Sequence, residues 1–299
     1  MALSDNMRGA ALMAASMTAF VINDVFMKAV LVDIPVFQAT FLRGLGITAC
    51  LIILCRMLGQ LRWNFARKDW ALIVLRSLSE LISTVFFLSA LRTMPLANLS
   101  AILQALPLTV TLAGALVFRE AIGWRRMLAI LAGFAGVLLI IQPGAAGFTT
   151  ASVYALGAVA FVTVRDLSVR RLSPDVPSVM VALLAAIGVT LFSGLGSTLV
   201  DWAPVTGQSL GLLVCAMLCL VCGYVFSVQT MRVGEISFIA PFRYTSLLVA
   251  LILGFVVFGD FPDAVTLLGA LIVVATGLFT LYREARLKRP APQQIGRLR

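Results

Sequence analysis

Ten largely apolar stretches, each close to 20 residues long, occupy almost the whole 299-residue chain. A helix of about 20 residues crosses the roughly 30 Å hydrocarbon core of a bilayer, so each stretch predicts one membrane-spanning helix. Hydrophobic residues make up 61% of the chain and charged residues only 12%, a composition that a soluble fold cannot bury. We therefore predict an all-α integral membrane protein. The predicted spans are 9–30, 35–56, 70–92, 96–118, 123–142, 151–172, 177–200, 209–231, 236–258 and 263–283.

Positive charge falls mainly on one side of this ten-span arrangement, while the other side carries aspartates. Because loops rich in Lys and Arg stay in the cytoplasm, we predict a multi-pass protein of a bacterial-type inner membrane with both termini cytoplasmic. The net charge of +10 is spread over short loops and forms no single basic face, which argues against a nucleic-acid partner and leaves membrane lipids. The residues on the basic side are Arg8, Arg56, Arg62, Arg67, Lys68, Arg125, Arg126, Arg170, Arg171, Arg232, Arg283, Arg286, Lys288, Arg289, Arg297 and Arg299.

The two halves of the chain repeat each other. Residues that match at a constant offset predict one repeat over 1–142 and a second over 151–283. A basic cytoplasmic tail is predicted to follow over 284–299. Because each repeat has five spans, an odd number, the second must cross the membrane inverted, as in many secondary transporters. Matches at an offset of 142 are Asp24/Asp166, Lys28/Arg170, Asp33/Asp175, Pro35/Pro177, Gly46/Gly188 and Thr48/Thr190, and matches at an offset of 140 are Arg92/Arg232, Phe118/Phe258, Glu120/Asp260 and Leu128/Leu268.

Several short motifs stand out along the chain. They are Asn23-Asp24 with Lys28, Phe41-Leu-Arg-Gly44, Ala90-Leu-Arg-Thr-Met-Pro-Leu-Ala97, Phe118-Arg-Glu120, Ala240-Pro-Phe-Arg-Tyr244 and Phe258-Gly-Asp260. With these motifs the chain resembles the ten-helix EamA-type carriers of the drug/metabolite transporter superfamily. The resemblance implies two inverted five-helix repeats and transport of a small solute, and members carry amino acids, S-adenosylmethionine, riboflavin or metallophores. The first two motifs are most similar to those of the S-adenosylmethionine and riboflavin carriers.

Charged residues within the predicted spans are the first candidates for a solute site. A charged side chain at the centre of a span costs about 2.5–3.5 kcal/mol on insertion scales, so its presence needs a reason. These residues are Asp24, Arg43, Arg76, Glu80, Arg165, Asp166 and Arg243, with Lys28 nearer the membrane edge.

Some of these charges have an opposite charge one helical turn away. Asp24 with Lys28 and Arg76 with Glu80 are spaced i,i+4, so each pair is either a structural ion pair or part of a cavity lining. Glu80 in a hydrated cavity also provides a site for a proton or a cationic group. The repeat places Asp24 near an outer gate and Asp166 near an inner one. For Asp166 we expect an ion pair with Arg170.

Two arginines lack such a neighbour. Arg43 and Arg243 have no acidic residue within four positions on their own helices, so their partners come from other helices, backbone carbonyls or a solute. A guanidinium binds a carboxylate or phosphate in a two-pronged geometry. Tyr244, next to Arg243, provides a ring that can stack on a planar solute.

Two prolines predict interruptions in the fourth and ninth spans. Pro107 and Pro241 each remove a backbone hydrogen bond, and broken helices near the membrane centre commonly expose polar backbone to transported solutes. Both are therefore hinge candidates, together with the gate candidates Lys28 and Asp166. Gln104, one turn before Pro107, adds an amide that can contact a ligand.

The chain contains no histidine, which excludes Ser-His-Asp catalysis and histidine metal sites. It has no P-loop or dinucleotide-binding glycine motif. We therefore predict no catalytic residue, no metal and no cofactor. A membrane enzyme and a channel remain the remote alternatives to a carrier, and a channel would need rings of like charge or exposed filter carbonyls, which the sequence lacks.

The sequence thus predicts a secondary transporter that moves a small organic metabolite across the inner membrane by alternating access. We expect a zwitterionic or charged solute with a planar part, resembling S-adenosylmethionine or riboflavin, bound by Asp24, Arg43, Arg76, Glu80, Gln104, Arg243 and Tyr244. The alternative within the family is an exporter of amino acids or drugs. Proton coupling and facilitated diffusion both fit, as do a monomer and a homodimer.

Overall fold

Ten spans of the computed structural model are long and apolar enough to cross a membrane. The structure describes residues 5–61, 63–119, 123–143, 149–173, 175–230, 233 and 235–287, and these ranges contain no β-strand. The predicted all-α membrane fold is confirmed, and each span begins and ends within about one helical turn of its predicted bounds. Glu120, Arg232 and residues 288–299 of the predicted tail lie outside the described residues.

The helices follow the order of the predicted spans. The first half comprises α1 (Asp5–Val30), α2 (Val36–Met57), α3 (Arg67–Thr93), α4 (Leu96–Leu103) with α5 (Leu106–Phe118), and α6 (Trp124–Ile141). The second half comprises α7 (Thr150–Val169), α8 (Ser178–Ser197), α9 (Gly207–Thr230), α10 (Ile236–Ile239) with a 3₁₀ turn (Ala240–Tyr244) and α11 (Thr245–Phe258), and α12 (Ala264–Leu287).

Both prolines that were predicted to interrupt a span do so. Pro107 lies in the first turn of α5, where its missing N–H and fixed φ are tolerated, and α4 ends just before it. Pro241 lies in the 3₁₀ turn that separates α10 from α11. The Gln104 amide, at the first break, donates a 2.8 Å hydrogen bond to Ser246 Oγ just past the second, so the two interrupted spans are joined at their breaks.

The two halves pack through helices that correspond in the repeat. Helix α1 packs on α9 and α3 packs on α7, two contacts that interchange when the halves are exchanged. Helix α2 packs on its own counterpart α8, and α6 on its counterpart α12. Because consecutive spans alternate in direction, the sixth span runs opposite to the first, and the two five-helix repeats are inverted.

The α2–α8 contact lies at a pair of positions matched by the repeat. The hydroxyl oxygens of Thr48 and Thr190 are 3.1 Å apart across this contact. One turn earlier on α2, Gly44 has no room for a side chain, because an added Cβ would overlap with Thr190. Small residues let two membrane helices approach closely, and here they bring the repeats together.

Glycine also sets the distance between α6 and α12. A Cβ on Gly136 would lie 2.8 Å from the carbonyl oxygen of Gly269, and a Cβ on Gly269 would overlap with the carbonyl oxygen of Gly136 in turn. The two backbones are therefore in direct contact, which only glycine permits at these positions.

The largest apolar core lies at one end of the bundle. It includes residues around the α1–α2 loop, the end of α3 and the start of α4, with Leu31, Ile34, Leu91 and Leu96 almost completely buried. We call this the sealed end. At the opposite end, the described part of the chain forms two small clusters centred on Met180 and Ile73. Among the described residues, the sealed end is therefore packed by more apolar side chains than the opposite end.

The α6–α12 contact gives a direct test of the packing. We expect Gly136→Leu to lower the free energy of unfolding by about 1–3 kcal/mol, because the new side chain must force the two helices apart. The matched control is Gly211→Leu, since a Cβ at Gly211 meets no atom within 4 Å. The measurement is unfolding in mixed micelles, and equal effects of both substitutions would contradict the proposed close contact.

Candidate functional site

Glu80 is the hub of a charged cluster within the spans. Arg165 Nη1 from α7 lies 3.4 Å from Glu80 Oε1 and 3.3 Å from Glu80 Oε2. Arg76, one turn before Glu80 on α3, places its Nη2 3.9 Å from the same carboxylate, which confirms the predicted i,i+4 pair. The Glu80 carboxylate therefore joins a guanidinium of its own helix to one from the other repeat.

Arg165 binds a second carboxylate. Its Nε donates a 2.9 Å hydrogen bond to Asp166 Oδ1, the neighbouring residue on α7. The predicted ion pair between Asp166 and Arg170 is wrong, because the long Arg165 side chain turns back to Asp166, and the Arg170 guanidinium instead lies over the Phe118 ring, 5.6 Å from its centroid. Asp166 thus belongs to the cluster through Arg165.

Arg43 and Asp24 approach the cluster through an asparagine. Arg43 Nη1 lies 3.3 Å from Asn23 Oδ1, and Asn23 Nδ2 donates a 2.9 Å hydrogen bond to Asp24 Oδ1. The Arg43 charge interacts electrostatically with Asp24 and Glu80, while its Nε is buried without a hydrogen-bond partner. The Arg43 Nε is therefore a buried donor that the described residues leave unsatisfied.

Tyr224 completes the cluster, and sequence reasoning missed it. Its side chain comes from α9 and interacts electrostatically with Glu80, Arg165, Arg76 and Arg43. The residue is 48% exposed, so part of its ring is accessible beside these charged neighbours. A signal was available, because Tyr224 is one of only 4 tyrosines in the chain and lies within an otherwise apolar span.

We call this set of residues the central charge cluster. It draws on α1, α2 and α3 of the first repeat and on α7 and α9 of the second. Its members are Asp24, Arg43, Arg76, Glu80, Arg165, Asp166 and Tyr224.

Lys28 lies outside this cluster, and of the two alternatives left open for its spacing from Asp24, the ion pair with Asp24 does not form. Lys28 Nζ instead lies 3.3 Å from Asp260 Oδ2 and donates a 2.8 Å hydrogen bond to the carbonyl of Met94. It also lies 4.9 Å from the centroid of the Phe258 ring. Lys28 lies one helical turn nearer the sealed end than Asp24, and its side chain reaches Asp260 just past the end of α11. We call the Lys28–Asp260 contact the sealing ion pair.

Further polar contacts hold the sealed end. Gln38 exchanges two hydrogen bonds with the backbone of Ala203, at 2.8 and 2.9 Å, and thereby ties α2 to the α8–α9 loop. Asp263, before α12, accepts hydrogen bonds from Thr266 and Gln142. These hydrogen bonds lower the pKa of Asp263 below its ordinary value, so its carboxylate stays ionised at neutral pH.

Several other predicted site residues are not brought into the cluster. Tyr244 is buried against Gly277 of α12, so its ring is packed and not free to stack on a solute. Arg243 is exposed in the 3₁₀ turn beside Pro241. Gln104 is committed to Ser246, whose hydroxyl donates to the Arg243 carbonyl at 2.9 Å. These positions depend on how two broken spans cross, which spacing along one helix does not reveal.

The cluster contains both signs of charge and one exposed aromatic ring. Guanidinium groups can bind a carboxylate or phosphate, and carboxylates can bind an amine or another cation. Within the described ranges, no group of His, Cys, Asp and Glu side chains is arranged to hold a metal ion.

A ten-span bundle with a cluster of charged side chains between inverted repeats is typical of a membrane transport protein. The EamA-like transporter family model matches the chain twice, over residues 7–142 and 149–282. The chain therefore belongs to the EamA-like transporter family.

Individual relatives carry transporter names. The chain is 33% identical over 191 residues to a riboflavin transporter of Vibrio cholerae, a match that covers 63% of each protein and so less than two thirds of that relative. It is 23% identical over 267 residues to an S-adenosylmethionine uptake transporter of Rickettsia prowazekii, with 89% of each chain covered. A solved crystal structure shares the fold at a TM-score of 0.61 and 18% identity, and the match covers 93% of this chain and 99% of that one.

The Glu80 hub should also matter for folding. We expect Glu80→Gln to lower the free energy of unfolding by about 1–3 kcal/mol, because Arg76 and Arg165 would lose their shared carboxylate in a partly buried setting. Asp175→Asn, in the exposed α7–α8 loop, removes the same charge and is the control. Unfolding in mixed micelles measures both, and an unchanged Glu80→Gln protein would contradict the role of Glu80 as a hub.

Proposed function

We propose that this protein is a secondary transporter that carries a small organic metabolite across the bacterial inner membrane by alternating access. The observation that supports this most strongly is the central charge cluster, because it brings ionic groups from both repeats together inside the spans. Such charges are costly in a membrane and generally mark a solute pathway. The relatives favour a solute of the riboflavin or S-adenosylmethionine type.

Each part of such a solute has a matching group in the cluster. Arg43, with its unpartnered Nε, would bind a carboxylate or a ring carbonyl. Glu80 or Asp24 would bind an amine or a sulfonium. Tyr224, exposed and in edge contact with Phe20 at 5.5 Å between ring centroids, would stack on a planar ring.

The contacts between the repeats are suited to exchange. The Arg165–Glu80 distances of 3.3 and 3.4 Å are longer than those of strong charge-assisted hydrogen bonds. A zwitterionic solute that offers both a carboxylate and an amine would replace this ion pair at low cost, because it compensates the charges of Arg165 and Glu80 together. The binding of the solute would then loosen one bridge between the repeats.

The described conformation fits one stage of the cycle. The sealing ion pair and the main apolar core close the end that carries the α1–α2 loop. With both termini in the cytoplasm, this end faces outward, and the protein is in an inward-open state. The breaks at Pro107 and Pro241 would let the fourth and ninth spans bend as the repeats rock around the cluster.

Ligand binding provides the first test. We expect riboflavin or S-adenosylmethionine to raise the melting temperature of the purified protein, because a ligand that binds only the folded state stabilises it. Tyr224→Leu should weaken binding of the planar solute about tenfold or more, as expected for loss of one stacking contact. Tyr282→Leu and Arg243→Ala are controls outside the cluster.

The same variants reconstituted in liposomes test transport. Uptake should fall in Tyr224→Leu and persist in both controls, and a protonophore then separates proton coupling from facilitated diffusion. Transport that is lost in Arg243→Ala but intact in Tyr224→Leu would place the solute site in the ninth span and overturn this proposal. Stabilisation by amino acids alone would favour the amino-acid exporter.

The sealing ion pair can be tested by accessibility. In a cysteine-free background, we expect Lys28→Gln to increase labelling of Val25→Cys by an impermeant thiol reagent severalfold, because the outer end would open more often. The charge exchange Lys28→Asp with Asp260→Lys should restore low labelling. Asp33→Asn, an exposed charge in the α1–α2 loop, is the control. Unchanged labelling in Lys28→Gln would show that the apolar core alone closes this end.

A further inference from the structure

Two arginines share one aromatic ring at the end opposite the sealed end. The guanidinium carbons of Arg170 and Arg171 lie 5.6 and 4.7 Å from the centroid of the Phe118 ring. Both arginines are exposed. Neither forms an ion pair with a carboxylate in the part of the chain that the structure describes. Two like charges thus share one ring, and neither has a described carboxylate within ion-pair distance.

Two more arginines lie close to Phe118 in the sequence, on either side of residues 120–122, which lie outside the described residues. Arg119 follows Phe118 in a left-handed conformation, with φ of 56°, and is exposed. Arg125, at the start of α6, lies 5.1 Å from the centroid of the Trp124 ring. The 18-residue helix α6 also begins here, so its free backbone N–H groups add a partial positive charge. We call these six residues the arginine–aromatic corner: Phe118, Arg119, Trp124, Arg125, Arg170 and Arg171.

The corner lies at a membrane interface. Helices α5 and α7 end at Phe118 and Val169, and α6 begins at Trp124, so three spans leave or enter the bilayer together. Trp124 is 67% exposed, as expected for an aromatic residue at headgroup level. Immediately on the bilayer side, Leu116 of α5 presents an exposed apolar surface.

The matching corner at the sealed end contains the same kind of contact. Lys28 and Phe258 occupy the positions that correspond to Arg170 and Phe118 in the repeat, and they form the same contact between a cation and a ring. There, Asp260 compensates the lysine. The residue that corresponds to Asp260 in the repeat is Glu120, which lies outside the described residues. Among the described residues, the charged side chains of this corner are all arginines.

We propose that the arginine–aromatic corner binds the headgroup of an anionic phospholipid. A guanidinium stacked over a ring uses its face and leaves its N–H groups free in its own plane, where they can bind two phosphate oxygens. Arg170 and Arg171 would hold the phosphate, Arg119 and Arg125 would attract it, and the acyl chains would lie along the apolar surface of α5. This site is separate from the central charge cluster and does not depend on the identity of the solute.

The test is native mass spectrometry of the full chain with dioleoyl-phosphatidylglycerol and dioleoyl-phosphatidylcholine. The wild type should retain the anionic lipid at least about tenfold more tightly than the zwitterionic one. The double variant Arg170→Gln/Arg171→Gln should weaken binding of the anionic lipid about 30-fold, since each basic residue at a membrane surface contributes roughly a fivefold factor. Arg170→Lys/Arg171→Lys should keep the charge but lose part of the affinity, because lysine lacks the planar fork.

The matched control is Arg67→Gln/Lys68→Gln, which removes two exposed charges at the start of α3. Equal losses in the two double variants would show a general electrostatic effect and overturn the site. Unchanged binding in Arg170→Gln/Arg171→Gln would also overturn it. Competition by millimolar inorganic phosphate as strong as that by the lipid would assign the corner to a soluble anion, against the proposal.

Discussion

Charge compensation within a low-dielectric interior is the constraint on which this structure depends. Arg165 meets it by binding Glu80 of the other repeat and Asp166 of its own helix. At a solvated surface such ion pairs contribute little to stability, because water solvates each charge. Within a membrane an unpaired charge has no such solvation and is costly. The pairs therefore bring the repeats into contact at the place where charge is concentrated, and the interface between the repeats and the proposed solute site share the same atoms.

The two ends of the bundle use different means to control access. The sealed end combines a large apolar core with a single ion pair, Lys28 with Asp260, in which the lysine is only 12% exposed. The opposite end has smaller apolar clusters and many arginines that face the membrane interface. Burial of apolar side chains stabilises the closed arrangement, and the ion pair makes that arrangement specific, because each charge needs its partner in place. This combination suits a closure that must form reproducibly and still open.

The sequence was sufficient for features that depend on one helix at a time. The ten spans follow from apolar length, and both breaks follow from the missing N–H of Pro107 and Pro241. The side-chain contacts between different helices did not follow from the sequence. Lys28 and Asp166 each had a partner one turn away in sequence, but their side chains bind Asp260 and Arg165 instead. Tyr224 stands out in the sequence as a tyrosine within an apolar span, but its position beside charges from other helices became visible only in the fold.

The pair formed by Thr48 and Thr190 has a consequence for the transport cycle. Because the repeat maps each threonine onto the other, their 3.1 Å contact lies on the pseudo-twofold axis. If the two halves exchange conformations between the inward-open and outward-open states, every contact off the axis is replaced by its symmetry-equivalent contact in the other half. A contact on the axis is mapped onto itself. The threonine pair can thus stay intact at both extremes, as a fixed pivot that contributes equally to both states and biases neither.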